Sequence, residues 1–294
     1  MTAVPRTTAV VVHYVRDDLT DALVQDLLTV AAASVAKVVV VDNGSPVPYQ
    51  QSDDPARVQV VHLDVGLGFA GAVRAGRQRV DGPHFLLLNN DVRLPHDPVP
   101  ALVSRWEQGA ALVGPRVEYP DGRFQLSWGD DLGLAEERRE RRRQAQMRRG
   151  GGSALRQREG ESAAPRRVDW LSGVTMLVDA GAYDAVGGFD EAYFFYFEDV
   201  DLCRRLRSAR YAIWYEPAGR VAHLLGGTRD STMVKIPERV GMAHALGHLR
   251  YYRRHRPRWE ASALKALLIA QVELSPAYRR QPWRRSLLRR LWKD

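Results

Sequence analysis

The chain has 294 residues, of which 45% are hydrophobic, and it carries a net charge of +8 and a single cysteine, Cys203. This size suits one large globular domain with an appendage, or two domains. One cysteine excludes a disulfide framework within the chain and predicts a reducing compartment. We read no signal peptide at the N-terminus and no late apolar stretch of the roughly 20 residues that a bilayer span needs, so we expect a cytoplasmic protein.

The positive charge is concentrated in two segments. Residues 250–294 contain 13 Lys and Arg against 3 Asp and Glu, and residues 138–167 contain 11 Arg against 3 Glu. The rest of the chain is therefore net acidic, which suits a divalent cation that holds a phosphate group. An alternative function, non-enzymatic nucleic-acid binding through the Arg runs, leaves the acidic core unexplained.

The first ninety residues alternate between predicted strands and helices. Several strands are continuous apolar runs, which is typical of a parallel sheet buried on both faces. The predicted strands are 9–14, 37–41, 58–63 and 85–88, and the predicted helices are 19–35 and 66–79. This rhythm predicts an α/β fold with a doubly wound sheet, whose ligands lie beyond the C-terminal ends of the strands.

The second half of the chain is less regular. A helix is expected over 97–109, and residues 129–167 lose all periodicity, which predicts a mobile or partly helical basic loop. Further strands are expected at 110–114, 174–178, 211–215 and 221–225. From residue 236 onward the pattern is helical and basic.

An aromatic run at residues 194–197 ends abruptly in Glu198 and Asp199, and the following residues have helical spacing at Leu202 and Leu206. The two carboxylates are therefore expected at a helix N-terminus, beside apolar rings that exclude water. A carboxylate in such a place can act as a general base. The alternative is an acidic first turn that only offsets the helix dipole.

Asp42 follows a buried strand and precedes a Gly/Ser turn. Its carboxylate can accept hydrogen bonds from a nucleotide base or from ribose hydroxyls, or it can simply form the turn. The glycine-rich segment 66–76 would let a helix start approach a nucleotide closely, although tight strand–helix packing explains Gly71 and Gly76 equally well.

Two further motifs offer metal ligands. The strand 85–88 opens onto Asn89, Asn90 and Asp91, whose oxygens suit Mg²⁺ or Mn²⁺ bound to a diphosphate. An Asx-capped turn is the alternative. His223 ends a later strand and is either a further metal or phosphate ligand or a structural histidine.

Taken in order, these motifs resemble the family 2 glycosyltransferases of GT-A fold, and within them the rhamnosyltransferase-like branch. The likeness covers residues 8–228, about three-quarters of the chain. The motifs that carry it are Val-Asp-Asn-Gly-Ser, Gly-Phe-Ala-Gly, Leu-Asn-Asn-Asp-Val, Leu-Ser-Gly, Gly-Gly-Phe-Asp-Glu, Phe-Glu-Asp-Val-Asp-Leu-Cys-Arg-Arg and the late His.

The resemblance implies a GT-A-type doubly wound mixed sheet flanked by helices. It implies a catalytic domain over 1–228, with a nucleotide-binding half at 1–92 and an acceptor half at 93–228 that includes the basic loop. Residues 229–294 would then form a helical basic C-terminal extension. The implied activity is inverting, metal-dependent transfer of a sugar, with rhamnose favoured, in cell-surface polysaccharide synthesis.

The resemblance also assigns roles to particular positions. It implies a catalytic base with an acidic neighbour, a Mg²⁺ or Mn²⁺ site, a nucleotide pocket and a sugar and acceptor site. Asp199 matches the base and Glu198 its acidic neighbour, and Asp91 and His223 match the metal site. The residues that match the nucleotide pocket are His13, Asp42, Gly68 and Asn90. Those that match the sugar and acceptor site are Trp170, Ser172 and Gly173. Within the helix start, both Glu198 and Asp201 are expected to raise the pKa of the base.

The implied partners are a nucleotide-sugar donor, either dTDP-rhamnose or a UDP-sugar, and a saccharide or polyprenyl-diphosphate-linked acceptor. His13 and Gly66 stand where the family usually has Asn, and a further family Asn is missing near Arg74, which leaves the donor open. A sugar-nucleotide nucleotidyltransferase is a rival function, but its Gly-rich basic loop is missing after the first strand.

The C-terminal segment 282–292 sets leucines and Trp292 against arginines, as in an amphipathic basic helix. Such a helix suits an anionic membrane surface, and would place the protein peripherally on the inner face of the plasma membrane. Packing of the same apolar face on the catalytic domain is the alternative.

Overall fold

The computed structural model describes residues 7–50, 54–139, 142, 159–225 and 238–293. Within these residues the strands are β1 (Thr7–His13), β2 (Val35–Asp42), β3 (Val58–His62), β4 (His84–Asn89), β5 (Val92–Arg93), β6 (Ala110–Glu118), β7 (Phe124–Gln125), β8 (Trp128–Gly129), β9 (Arg166–Arg167), β10 (Trp170–Leu171), β11 (Thr175–Asp179) and β12 (Ala212–His223). The principal helices are α1 (Asp17–Thr29), α2 (Gly68–Arg77), α3 (Val99–Glu107), α4 (Ala180–Ala185), α5 (Glu198–Ser208), α6 (Glu238–His255), α7 (Arg258–Leu274), α8 (Pro276–Arg279) and α9 (Arg284–Lys293).

The main sheet is mixed, with strand order β3-β2-β1-β4-β11-β6-β12-β5. The first four strands in this order are parallel, and β11 then runs antiparallel to both β4 and β6. Parallel strands bring their carboxyl ends to the same edge, so His13, Asp42 and Asn89 end side by side. The sheet therefore delivers three polar side chains to one edge.

Both faces of the sheet are buried, which is why its strands are continuous apolar runs. Successive residues of a strand point to opposite faces. Val10 and Val12 lie in the cluster that contains side chains of α2, α4 and α5, whereas Ala9 and Val11 lie in the cluster that contains those of α1 and α3. Helices thus cover the sheet on both sides.

A third apolar cluster joins the C-terminal helices to the segment that precedes α5. Its fully buried members include Leu264 of α7 and Leu287 and Leu291 of α9, and Tyr193 and Phe197 belong to the same cluster. The apolar face of α9 is consequently occupied by protein. Leu287 and Leu291 therefore pack on protein, as the packing alternative predicts, whereas Trp292 is 64% exposed.

The structure confirms the α/β class with a mixed, doubly wound sheet and C-terminal helices. The two strands expected at 211–215 and 221–225 form the single strand β12, whose register on β6 shifts between Glu216 and Arg220. That irregularity interrupts the apolar alternation, which made the sequence read as two strands.

Parts of the basic loop are regular: residues 134–139 are helical, β8 pairs with β10, and β9 pairs with β12. Most of the Arg runs, at 140–141 and 143–158, and the expected domain boundary at residue 228 lie outside the described residues. Among the described helices, none has the length and apolarity needed to cross a membrane.

Candidate active site

Asp42, at the end of β2, is buried to 2% exposure and is held by donors close to it in sequence. Its Oδ1 accepts the Ser45 N–H at 3.0 Å and its Oδ2 accepts the Tyr49 N–H at 2.9 Å. His62 Nδ1 lies 3.4 Å from Oδ2. Burial raises the pKa of Asp42, but the hydrogen bonds from Ser45, Tyr49 and His62 outweigh it and leave the pKa below the usual value.

His13, at the end of β1, is fully buried and lies beside Asp42 in the parallel register. Its Nδ1 is 2.6 Å from Thr20 Oγ1, which also accepts Asn90 Nδ2 at 3.2 Å. The His13 ring lies 4.7 Å from the Tyr49 ring. Burial lowers the pKa of His13, so the imidazole is held neutral. Thr20 thus ties the predicted nucleotide residues of β1 and β4 together.

Asp91 and His223 come together although 132 positions separate them. His223 Nε2 lies 3.3 Å from Asp91 Oδ1, and both side chains are less than a tenth exposed. The antiparallel pairing of β5 with β12 sets His223 opposite Val92, the residue after Asp91. On the other side of the ring, His223 Nδ1 lies 3.1 Å from Gln125 Oε1, which fixes the imidazole plane.

Glu198 and Asp199 begin α5, as the sequence predicts. The residues before them, Tyr196 and Phe197, both have φ of 70°, a left-handed conformation that is strained for aromatic side chains. Asp199 Oδ2 accepts the Gly173 N–H at 2.9 Å, and its Oδ1 accepts the Val200 N–H at 2.8 Å. Strain and hydrogen bonds together hold the carboxylate in one place.

The two carboxyl groups have raised pKa values. Burial is the main cause for both; for Glu198 the charge of Asp199 adds to it, while backbone N–H donors partly offset it for Asp199. Glu198 is 5% exposed, and its Oε2 has no hydrogen-bond partner among the described residues. The desolvation effect therefore exceeds that of the helix N-terminus, a balance that the sequence alone left open.

The prediction that Glu198 and Asp201 raise the pKa of Asp199 is wrong: burial raises it, and the repulsion between Glu198 and Asp199 raises the pKa of Glu198 instead. Asp201 is fully buried on the other side of α5, where it accepts His255 Nε2 at 2.7 Å and Arg205 Nε at 2.7 Å. These partners balance its charge and hold its own pKa below the usual value, although burial opposes them. Asp201 thus anchors α5 to α6.

A chain of backbone contacts connects Asp199 to the strand ends. Gly173, which donates to Asp199, precedes Val174, whose carbonyl accepts the Asn89 N–H at 2.9 Å. Asp199 therefore lies at the edge of the sheet where β4 ends and β11 begins, and where Asp42 and Asp91 also lie. Among the described residues, no group of three or more His, Cys, Asp and Glu side chains is arranged to hold a metal ion.

Gly68 is required for a close approach, and Gly173 permits another. Gly68 has φ of +78°, and a Cβ there would lie 2.1 Å from the Phe194 carbonyl oxygen. A Cβ on Gly173 would lie 3.2 Å from the Phe69 ring. These contacts pack the start of α2 against the segment before α5 and against Gly173, which gives Gly68 a packing role beside its predicted nucleotide role.

The predicted sugar and acceptor residues lie in and directly after β10, which pairs with β8 in a separate two-stranded sheet. Trp170 is half-buried on β10, opposite Gly129 of β8. Ser172 donates its N–H to Ser127 O at 2.8 Å and accepts the Val174 N–H at 3.4 Å through Oγ. Their predicted contacts with sugar or acceptor stay a prediction.

A family model described as Glycosyl transferase family 2 matches residues 8–160, more than half of the chain. An N-acetylglucosaminyl-diphospho-decaprenol L-rhamnosyltransferase from Mycobacterium tuberculosis (strain CDC 1551 / Oshkosh) is 30% identical over 213 residues, which is 67% of this chain and 69% of that relative. The chain belongs to glycosyl transferase family 2. Its similarity to a rhamnosyltransferase agrees with the branch that the motifs indicate.

Solved structures confirm the GT-A-type fold of this family 2 chain. GalNAc-T7 with UDP, GalNAc and Mn²⁺ superposes with a TM-score of 0.66 at 12% identity, over 100% of this chain and 57% of that one. The mannosyltransferase PcManGT from Pyrobaculum calidifontis, with GDP-Man and Mn²⁺, gives 0.52 at 13% identity, over 99% and 85% of the two chains. At these identities the likeness concerns the fold alone.

The sequence motifs did not predict three contacts of this site. Thr20 bridges His13 and Asn90, Gln125 orients His223, and the Gly173 N–H positions Asp199. The first two belong to no motif, and their roles follow from contacts over 7 to 98 positions in the chain. Gly173 was noticed for another role, because sequence does not show which backbone N–H meets which carboxylate.

Proposed function

We propose that this protein is an inverting glycosyltransferase that moves a sugar, with rhamnose as the first candidate, from a nucleotide diphosphate to a hydroxyl of a lipid-diphosphate-linked saccharide. The named activity of the Mycobacterium tuberculosis relative supports the sugar and the acceptor class. Membership of a glycosyltransferase family favours this function over the nucleotidyltransferase and nucleic-acid-binding alternatives. Such an acceptor implies work at the inner face of the plasma membrane.

The observation that carries the proposal is the position of Asp199. Its carboxylate is fixed by the Gly173 N–H at the same sheet edge that brings Asp91 and His223 to 3.3 Å. A base and a diphosphate-binding pair at one edge are what a single displacement at a sugar carbon requires.

The nucleotide is proposed to bind at the ends of β1, β2 and β4. Asp42, with its lowered pKa, is a permanent anion that can accept hydrogen bonds from the base or the ribose. Neutral His13 and the amide of Asn90 supply further polar contacts, and Thr20 fixes both. Three pre-positioned side chains reduce the entropy lost when the nucleotide binds.

Asp91 and His223 fit a divalent cation, because a carboxylate oxygen and an imidazole nitrogen already lie together at a buried position. Two protein ligands leave most coordination positions to the donor diphosphate and water, as is usual for Mg²⁺ and acceptable for Mn²⁺. When bound, the cation would supply positive charge to the leaving diphosphate.

Asp199 is proposed to take the proton of the acceptor hydroxyl. The acceptor oxygen then forms a bond to the anomeric carbon while the bond from that carbon to the diphosphate oxygen breaks, and the nucleoside diphosphate leaves with the electron pair. One displacement inverts the anomeric configuration. The raised pKa of Asp199 makes it a stronger base than an exposed aspartate, and the Gly173 N–H keeps it oriented.

A panel of nucleotide sugars tests the proposal directly. We expect dTDP-rhamnose or a UDP-sugar to raise the melting temperature of the full chain, more so with Mn²⁺, because a ligand of the folded state stabilises it. The same donor, given a GlcNAc-diphosphate-lipid acceptor, should yield a glycoside whose anomeric configuration is opposite to that of the donor by NMR. Retention of configuration would overturn the mechanism, and failure of every donor to bind or react would overturn the function.

A further inference from the structure

A groove of about 1510 Å³ lies beside the catalytic segment and is not used by the site described above. Its walls are the loop before α2, residues 190–194, α6 and the end of α9. Ligand pockets for small molecules usually measure about 300 to 1,000 Å³. The groove is therefore large enough for an extended ligand.

The groove is basic. Its lining contains five cationic side chains against two carboxylates, Asp190 and Glu191. Asp190 is shared by two of the arginines, and Glu191 forms an ion pair with Arg74 at 2.8 Å outside the groove. The five cations are Arg250, Arg253, Arg254, Arg290 and Lys293. The excess of positive charge suits a phosphate-bearing ligand.

The same groove has apolar walls. Val65 and Leu67 are 64% and 44% exposed at its edge, and α6 contributes Met242 and Leu246. Exposed aliphatic side chains beside cations indicate an amphiphilic ligand with one charged and one apolar part.

The groove is linked to Asp199 through the start of α2. Leu67 directly precedes Gly68, and the Phe69 N–H donates to the carbonyl of Phe194 in the groove wall at 3.1 Å. The Phe69 ring in turn approaches Gly173, whose N–H holds Asp199. A molecule in the groove can thus extend toward Asp199 over the start of α2.

We propose that this groove binds the isoprenoid diphosphate of the acceptor. Its arginines and Lys293 bind the diphosphate, and Val65, Leu67 and Leu246 contact the isoprene units next to it. This inference rests on the proposed function for the acceptor sugar, but the groove's affinity for a prenyl diphosphate stands by itself. The nucleotide donor is assigned to the strand ends, which border the groove where the Leu67 N–H donates to Asn43 Oδ1 at 2.9 Å.

The test is calorimetric titration of the full chain with farnesyl diphosphate, farnesol and inorganic pyrophosphate. The variant is Arg290→Glu with Lys293→Glu, and its charge-matched control is Arg285→Glu with Arg289→Glu, two exposed positions on α9 that do not line the groove. We expect farnesyl diphosphate to bind, and its Kd to rise at least about tenfold in the groove variant and less than about twofold in the control.

Farnesol and pyrophosphate are expected to bind at least about tenfold more weakly than farnesyl diphosphate, because each lacks one half of the ligand. Equal affinity for pyrophosphate would show a simple anion site and overturn the inference, as would equal losses in the two double variants. Prenyl diphosphate binding without any glycosyl transfer would overturn the proposed function and leave the groove assignment standing.

Discussion

The sheet edge around Asp42, which we propose binds the nucleotide, and the segment around Asp199, which we propose carries the base, differ in what holds them. The donors to Asp42 are Ser45 and Tyr49, within seven residues of it, and His62 on the neighbouring strand. Asp199 depends on Gly173, 26 positions away, and its helix is anchored by the C-terminal helix α6. Backbone donors close in sequence hold Asp42, whereas Asp199 combines one such donor, the adjacent Val200 N–H, with contacts to distant segments.

This difference has an electrostatic consequence. Asp42 receives enough hydrogen bonds to overcome its burial, so its pKa is lowered and it stays charged. Glu198 and Asp199 receive too few, so their pKa values are raised. The opposite pKa shifts match the proposed roles, a charged acceptor of hydrogen bonds at Asp42 and a base that takes up a proton at Asp199.

The largest effect is expected from Asp199→Asn, which removes the base but keeps the shape. We expect kcat to fall by about a thousandfold or more, while the nucleotide Kd changes by less than about threefold. Glu198→Gln is the matched control, because it makes the same acid-to-amide change one residue away, and its kcat should stay within about fivefold. Single-turnover assays with saturating donor measure both, and equal losses would assign the base role to the pair.

Asp42→Asn should act on binding instead. Because the amide cannot accept both N–H donors equally and lacks the charge, we expect the nucleotide Kd to rise about 10- to 100-fold with little change in kcat. Asp64→Asn, an exposed neighbour, is the control. A main effect on kcat would place Asp42 in the chemistry and erase the contrast between the two regions.

His255→Ala tests the long-range support of the catalytic helix. It removes one partner of fully buried Asp201, which keeps Arg205, so the free energy of unfolding should fall by about 2 kcal/mol. If α6 positions the base, kcat falls as well, whereas the nucleotide Kd stays unchanged. Denaturant unfolding and kinetics below the melting temperature separate the two effects, and an unchanged kcat would limit His255 to stability.

We expect Glu198→Gln to change the free energy of unfolding by about 1 kcal/mol. Asp42→Asn should change it in the opposite direction. A raised carboxyl pKa lowers stability above the pKa of the unfolded chain, so Gln should raise the unfolding free energy at neutral pH. A carboxyl group whose pKa is lowered by folding stabilises the protein at pH values above its pKa in the unfolded chain. This stability is lost as the pH falls through the pKa of the folded protein. Asp42→Asn should therefore lower the free energy of unfolding at neutral pH. Melting curves from pH 8 down to pH 3 should show that the difference in stability between each variant and the wild type shrinks as the pH falls. If both variants change stability in the same direction, the directions of the two pKa shifts are contradicted.

The region around Asp42 was the more predictable one. The strand ends that deliver His13, Asp42 and Asp91 follow from apolar runs that stop at polar turn residues, which is a short-range pattern. The start of α5 at Glu198 followed from helical spacing in the same way. The wrong prediction concerned Asp201, because spacing on a helix shows which residues are near in sequence but not that the side chain turns toward His255.

The amino-acid sequence by itself determined the order of strands and helices, the family motifs and the presence of carboxylates at element ends, because each depends on residues that are neighbours along the chain. Only the tertiary structure decided that His223 meets Asp91, that Gly173 holds Asp199, and that the leucines of α9 are buried. These outcomes depend on strand pairing and helix packing between distant segments. Such pairing is set by the whole core rather than by any local pattern.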